Sequence, residues 1–125
     1  MTYKLFLDDV RHPKEIYPNN WHDWAVVRSY EDFVKYVYYH GIPYEVSFDH
    51  DLEERHYPPT CDYSTPTGKD CAAYLANLCR KYKETSCLEA VYVHSFNPDA
   101  YPRILEEFVG IPVSFKNLIP KMIIF

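Results

Sequence analysis

Three short polar segments each follow an apolar run, and they contain the residue types of a metal or phosphate site. The segments are Asp8-Asp9 after residues 3–7, Asp49-His50-Asp51 after residues 45–48, and His94-Ser95 after residues 90–93. Carboxylates gathered at one place repel one another, so a positive group must offset their charge. Mg²⁺ prefers oxygen ligands, and Mn²⁺ also accepts imidazole. The pattern predicts a Mg²⁺ or Mn²⁺ site whose ligands are Asp8, Asp9, Asp49 and Asp51.

Two histidines lie in these segments, and imidazole exchanges protons near neutral pH. We therefore expect His50 or His94 to act as general acid or base, beside Asp49 as a catalytic carboxylate. A purely structural role is the alternative for each ring. For the aspartates, the structural alternative is that they cap helices or form ion pairs. Three clusters at three strand ends favour a site.

A phosphate group has further candidate partners near these segments. Arg11 follows the first acidic pair by two residues, and its planar guanidinium can contact a phosphate or pair with a neighbouring aspartate. Thr67-Gly68 opens a helix whose free backbone N–H groups could hold an anion. Arg11, Thr67, Gly68, Ser95 and Asn97 are thus the predicted substrate-binding residues.

The elements that must position these residues alternate between strands and helices. Strands are predicted at residues 3–7, 24–28, 45–48, 90–93 and 113–115, with a further short strand possible at 122–125. Helices are predicted after Ser29, ending at Gly41, after Thr67, and from Asn97-Pro98-Asp99. Residues 11–23 are assigned at most a short helical turn, and residues 52–66 a long irregular loop. This order predicts a single three-layer α/β/α domain over residues 1–125, with a mostly parallel five-stranded sheet and helices on both faces.

Parallel order has a functional consequence, because ligands of open parallel sheets bind beyond the carboxyl ends of the strands. All three polar segments follow such ends. We therefore expect them to meet at one edge of the sheet.

Composition excludes several classes of function. With 3 glycines, the chain contains neither G-x-x-x-x-G-K nor G-x-G-x-x-G. A net charge of −5 argues against a broad nucleic-acid-binding face, although it allows a small phosphorylated molecule or a nucleic-acid end as ligand. No apolar run approaches the roughly 20 residues of a membrane span, and the start lacks a signal-peptide pattern. We expect a cytoplasmic protein; the sequence does not determine an oligomeric state.

The ordered motifs resemble two groups of proteins. The positions of Asp8-Asp9, Asp49 and Ser95 are similar to those of receiver domains in two-component signalling. A closer resemblance is to the cyclic-phosphate processing receiver domain family, and it spans about residues 3–105. Its motifs appear here as Leu5-Phe6-Leu7-Asp8-Asp9-Val10-Arg11-His12-Pro13, Phe48-Asp49-His50-Asp51-Leu52, Thr67-Gly68 and His94-Ser95-Phe96-Asn97.

The closer resemblance implies a flavodoxin-like, receiver-like fold and activity on cyclic or terminal phosphates, in RNA repair or phage–host conflict. The expected function is a metal-dependent phosphoesterase acting on nucleotides or RNA ends. The alternatives are a signalling receiver phosphorylated on Asp49 and a non-catalytic module that binds a phosphorylated ligand or a protein. One departure is Lys116, which precedes Asn117 where ordinary receivers have a Lys followed by Pro.

Overall fold

Five short strands form one parallel sheet in the computed structural model, which describes residues 2–118. The strands are β1 (Lys4–Leu7), β2 (Trp24–Val27), β3 (Glu45–Phe48), β4 (Ala90–Val93) and β5 (Ser114–Asn117). Their order in the sheet is β2-β1-β3-β4-β5. The predictions for β3 and β4 match the observed bounds, whereas β5 begins one residue and ends two residues later than predicted. The strand predicted at 122–125 lies outside the described residues.

Of the three α-helices within residues 2–118, two begin where their capping residues predict. These helices are α1 (Tyr30–His40) and α2 (Gly68–Lys81). The Ser29 hydroxyl accepts from the Asp32 N–H at the start of α1, and Gly41 ends that helix with φ +85°. Thr67 and Asp70 form the expected capping box at the start of α2.

The third helix, α3 (Ala100–Leu105), begins later than the sequence pattern predicts. Asn97 and Pro98 precede it in a tight turn, in which the Asn97 Oδ1 accepts from the Asp99 N–H at 3.0 Å. The Asn97 Nδ2 also donates to the Tyr63 hydroxyl at 2.8 Å. The prediction of a helix starting at Asn97-Pro98-Asp99 is therefore wrong by two residues, because Asn97 is held by a tertiary contact as well as by its own turn.

All three helices contribute to one core on one face of the sheet. Alternate residues of the strands point into this core. Leu5, Leu7, Val46 and Phe48 are examples, and all four are fully buried. Helices α1 and α2 contact each other, as do α2 and α3. No helix among residues 2–118 combines the length and apolar character needed to cross a bilayer.

The opposite face carries an aromatic layer in place of a long helix. Residues Pro13–Glu15 and Trp21–Asp23 form short 3₁₀ turns, and between them Tyr17 stacks on Trp24 with ring centroids 4.6 Å apart. Prolines at 13 and 18 limit helix formation here because they lack a backbone N–H. Within the described residues, the second outer layer is therefore made of turns rather than of the helices that the strand–helix alternation predicts.

The strand register places the polar segments side by side. Leu7, Phe48 and Val93 are level with one another across β1, β3 and β4. The backbone hydrogen bonds between the strands continue for one residue beyond them, since the Asp49 N–H donates to the Leu7 carbonyl and the His94 N–H to the Phe48 carbonyl. Asp8, Asp49 and His94 consequently meet at the carboxyl edge of the sheet, as expected from the parallel order.

Candidate metal and phosphate site

Three aspartates form a compact group at this edge. Asp8, Asp9 and Asp49 each offer one oxygen, and these oxygens lie within 4.8 Å of one another. Asp49 is 1% exposed; its Oδ1 accepts from the His50 N–H, but its buried Oδ2 has no hydrogen-bond partner among the described residues. A buried carboxylate oxygen without a partner is costly unless something positive binds it. The donor set therefore fits a small divalent cation.

The two buried carboxylates of this group have opposite electrostatic environments. Burial and the neighbouring charge of Asp8 raise the pKa of Asp49 well above its usual value. Burial also acts to raise the pKa of Asp8, but hydrogen bonds from His94 and Arg11 outweigh it and hold that pKa at about 2. Asp8 is thus an ionised, satisfied carboxylate, whereas the charge of Asp49 is compensated only in part.

Arg11 is the cation nearest to both carboxylates. Its Nη1 lies 3.1 Å from Asp8 Oδ2 and 3.6 Å from Asp49 Oδ2. Its guanidinium carbon also lies 4.5 Å from the centroid of the Phe96 ring. The ion pair considered from the sequence is present, and the contact between Arg11 and phosphate stays a prediction.

Asp51 and His50 form a separate pair beside the three aspartates. The His50 Nδ1 lies 2.8 Å from Asp51 Oδ1, and the Arg103 Nε donates to His50 Nε2 at 3.0 Å. Because arginine only donates, Nε2 must be an acceptor and the ring carries its proton on Nδ1. Asp51 Oδ1 also accepts from Asn97 Nδ2 at 3.3 Å. Asp51 does not belong to the compact group of oxygens that Asp8, Asp9 and Asp49 form within residues 2–118.

His94 lies next to Asp8, completely buried. Its Nε2 is 3.2 Å from Asp8 Oδ2, its Nδ1 is 2.6 Å from the Ser47 hydroxyl, and its ring stacks on Phe6. The Ser47 hydroxyl is in turn 2.8 Å from the Tyr17 hydroxyl. Burial lowers the pKa of His94. These contacts place His94 as a support for Asp8, with both ring nitrogens already hydrogen-bonded.

A cavity of about 90 Å³ opens beside the acidic group. Its lining residues are Arg11, Asp49, Asp51, Tyr57, Pro58, Ser95, Phe96 and Asn97. Tyr57 comes from the loop after β3, and its hydroxyl donates to both Asp9 oxygens, at 2.7 and 2.6 Å. Burial, the hydrogen bond to Asp9 and nearby carboxylates raise the pKa of Tyr57, so this phenol stays protonated. Neither histidine ring belongs to this lining.

The order of the motifs, the parallel sheet and the grouped aspartates agree with a comparison against known families. A family model described as the cyclic-phosphate processing receiver domain matches residues 3–108. The chain belongs to this family. No curated protein matches the chain.

A solved structure supports the fold of this cyclic-phosphate processing receiver domain. The chain is similar to a BeF3-activated DrrB receiver domain, with a TM-score of 0.54 and 14% sequence identity. The match covers 99% of this chain and 88% of the other. At this identity the similarity establishes the receiver-like, flavodoxin-like fold alone.

Lys116 lies within β5 opposite Tyr92. Its side chain is exposed and lines a different cavity from the one beside the aspartates.

The start of α2 has a supporting role in this receiver domain. The Gly68 N–H donates to the His50 carbonyl at 2.8 Å, and the Thr67 N–H donates to Asp70 at 2.7 Å. A Cβ on Gly68 would lie 1.8 Å from the carbonyl oxygen of Asp49. These amides are therefore not free to hold an anion, contrary to the expectation for Thr67 and Gly68. Instead, the missing side chain of Gly68 lets the helix approach the Asp49 backbone.

Several site residues of the receiver domain were not found by sequence reasoning. They are Tyr17, Ser47, His56, Tyr57, Tyr63 and Arg103. His56 is buried, accepts a hydrogen bond from the Leu52 N–H at 2.9 Å and is hydrogen-bonded to the Thr65 hydroxyl at 2.8 Å. These two bonds hold the two ends of the loop over residues 52–66 together. Ser47 carried a usable signal, since a hydroxyl within a buried apolar strand needs a partner. Tyr57 and Arg103 have no spacing relation to the motifs that would identify them.

Proposed function

We propose that this domain is a metal-dependent phosphoesterase that acts on cyclic or terminal phosphates of nucleotides or RNA ends. The observation that carries the proposal is the buried Asp49 Oδ2, which has no hydrogen-bond partner within residues 2–118 and lies beside oxygens of Asp8 and Asp9. Asp8, Asp9 and Asp49 would hold Mg²⁺ or Mn²⁺. Such an ion, when bound, polarises a phosphoryl group and lowers the pKa of bound water.

The cavity supplies the groups that would meet the phosphate. Arg11 brings a guanidinium to the cavity, and Ser95 brings a hydroxyl group. The Tyr57 hydroxyl already donates its one proton to Asp9, so in this proposal it orients that carboxylate. Asn97 was also expected to bind the phosphate, but its amide donates to Tyr63 and Asp51. In this proposal Asn97 shapes the cavity.

Asp51 and the two histidines take supporting roles in the proposed reaction. His94 bonds Asp8, and His50 bonds Asp51, each through a contact within a fully buried environment. A hydrogen bond of this kind fixes the orientation of a carboxylate. Asp51 lines the cavity next to Asp49 and is available as an additional carboxylate ligand or proton acceptor.

The substrate class rests on the family description, which names the processing of cyclic phosphates. A cytoplasmic role in RNA repair or phage–host conflict is the setting we propose for such a substrate. The cavity between Arg11 and Tyr57 is small, about 90 Å³, which suits the phosphate rather than a whole nucleotide.

A signalling function is the second candidate, because the similar solved structure is a BeF3-activated receiver domain. Asp49 would then accept a phosphoryl group, since its Oδ2, directly after β3, has no hydrogen-bond partner in the described part of the chain. A non-catalytic module that binds a phosphorylated ligand or a protein would use the same cavity without turnover.

A substrate panel distinguishes these functions. Purified protein is incubated with 2′,3′-cyclic nucleotides and phosphate monoesters in the presence of Mg²⁺, Mn²⁺ or a chelator, and products are followed by ³¹P NMR. We expect metal-dependent hydrolysis that is lost in Asp49→Asn and retained in Asp32→Asn, a control at an exposed position of α1. Absence of hydrolysis throughout the panel would reject the phosphoesterase. Formation of a BeF3 adduct without hydrolysis would favour the receiver.

A further inference from the structure

We propose that Arg11 is a built-in counter-ion of the acidic group and that a divalent cation binds by displacing its guanidinium from the carboxylates. The displaced guanidinium then becomes available to a phosphate in the cavity, so that metal and phosphate bind cooperatively. This inference rests on the proposed metal site and adds the means by which the occupancy of that site is regulated.

The position of one nitrogen carries the inference. Arg11 Nη1 lies 3.1 Å from Asp8 Oδ2 and 3.6 Å from Asp49 Oδ2, so the guanidinium charge lies between two of the three carboxylates that would hold a cation. Its side chain is only 15% exposed. A full positive charge at this distance, with little water to screen it, opposes the entry of a divalent cation.

The arginine satisfies the two carboxylates unequally. Asp8 accepts a side-chain hydrogen bond from Arg11, whereas Asp49 Oδ2 lies at ion-pair distance and accepts no hydrogen bond from any residue that the structure describes. Arg11 therefore compensates the charge of the group only in part. A divalent cation would also bind the Asp49 carboxylate. The free energy of that added interaction would displace the guanidinium.

The backbone of Arg11 is fixed, which confines the change to its side chain. The Arg11 N–H donates to Asp8 Oδ1 at 2.8 Å, and the Arg11 carbonyl accepts from the Arg28 guanidinium. On its outer side the Arg11 guanidinium contacts the ring of Phe96, which is 48% exposed. An aromatic face attracts a cation, so Phe96 provides a contact that the guanidinium keeps after it leaves the carboxylates.

Thermodynamic linkage gives the inference a measurable consequence. If the cation frees Arg11 for phosphate, then phosphate must strengthen cation binding by the same factor as the cation strengthens phosphate binding. Without phosphate, removing the charge of Arg11 should make cation binding tighter. A purely structural Arg11, which only holds Asp8 in place, predicts the opposite, because its loss would disorder a ligand.

The test compares Mg²⁺ binding by calorimetry, at constant ionic strength, in the wild type, Arg11→Gln and Arg11→Lys. Inorganic phosphate serves as the second ligand. We expect Arg11→Gln to bind Mg²⁺ about tenfold or more tightly than the wild type and to lose the enhancement by phosphate. Arg11→Lys keeps the charge and should stay close to the wild type. Equal or weaker Mg²⁺ binding by Arg11→Gln would overturn the inference.

A second measurement uses the wild type alone, in case Arg11→Gln does not fold. The Nε–H resonance of Arg11 is followed by NMR during Mg²⁺ addition, with Arg28 as the reference. We expect a large shift for Arg11, and an unchanged Arg11 resonance in metal-saturated protein would reject displacement. If the wild type binds neither Mg²⁺ nor Mn²⁺, the proposed metal site itself fails, and with it the displacement.

Discussion

His94 Nε2 lies 3.2 Å from Asp8 Oδ2, and solvent reaches neither side chain. The other ring nitrogen of His94 is bonded to Ser47, so the ring is fixed on both sides. A carboxylate held in this way has a fixed orientation, and its support comes from the residue directly after β4, 86 positions further along the chain.

Replacing His94 with alanine should therefore damage folding as well as the site. We expect His94→Ala to lower the free energy of unfolding by about 2–4 kcal/mol, because it leaves a cavity and removes one hydrogen-bond partner each from Asp8 and Ser47. Urea unfolding measures this loss. His22→Ala is the control, since the side chain of His22 is 67% exposed, and it should change stability by less than about 0.5 kcal/mol. A stable His94→Ala protein would contradict the supporting role.

Replacing Asp49 with asparagine should stabilise the metal-free protein. The buried Oδ2 of Asp49 has no partner in the described part of the chain, so removing its charge removes an uncompensated cost. We expect a gain of about 1–3 kcal/mol near neutral pH and loss of the stabilisation that Mg²⁺ gives the wild type. Thermal melts of both proteins, with and without Mg²⁺, provide the measurement. An Asp49→Asn protein still stabilised by Mg²⁺ would place the metal elsewhere.

The advantage of Asp49→Asn should depend on pH. In the unfolded chain an aspartate ionises near pH 3.9, whereas in the fold burial and Asp8 raise the pKa of Asp49 well above that value. A raised carboxyl pKa means that stability is lost as pH rises through the folded-state pKa. The difference in unfolding free energy between Asp49→Asn and the wild type, measured without metal, should therefore grow as the pH rises from about 4 towards the folded-state pKa of Asp49. A difference that shrinks over this range would refute the assignment.

Gly68→Ala should disturb the site through the backbone. Its new Cβ would lie 1.8 Å from the Asp49 carbonyl oxygen, so either α2 or the Asp49 segment has to shift. We expect a loss of more than about 3 kcal/mol and weaker Mg²⁺ binding. Gly110→Ala is the matched control, because a Cβ at this position would have no atom within 4 Å. Only the positive φ of Gly110 disfavours the alanine, so this variant should lose about 1 kcal/mol. Chemical denaturation compares the two variants, and equal losses would show that the contact is unimportant.

Tyr57→Phe tests the loop residue that reaches the acidic group. The change keeps the ring and removes the hydroxyl that donates to Asp9. If this hydroxyl orients Asp9 for the proposed cation, its loss should weaken Mg²⁺ binding about tenfold and lower the turnover of a cyclic phosphate with it. Tyr39→Phe, at an exposed position of α1, should leave turnover unchanged. Full activity in Tyr57→Phe would remove this residue from the reaction.

The sequence was sufficient to predict the strands, two helix starts and the edge at which the site lies. These features depend on local patterns: apolar runs form β1, β3 and β4, and Thr67 with Asp70 caps α2. Parallel order then brings all carboxyl ends to one edge, so Asp8, Asp9 and Asp49 could be grouped without coordinates.

Only the tertiary structure decided which polar atoms face the cavity and which are already bonded. Asp51 pairs with His50, His94 supports Asp8, and Arg11 lies between Asp8 and Asp49. The contacts that Ser47, Tyr57 and Arg103 make with the site join residues 47 to 53 positions apart in the chain. Local patterns carry no information about such pairs, because each contact depends on side-chain direction and on how separate elements pack. The residue types of the site were therefore predictable, and their partners were fixed by packing.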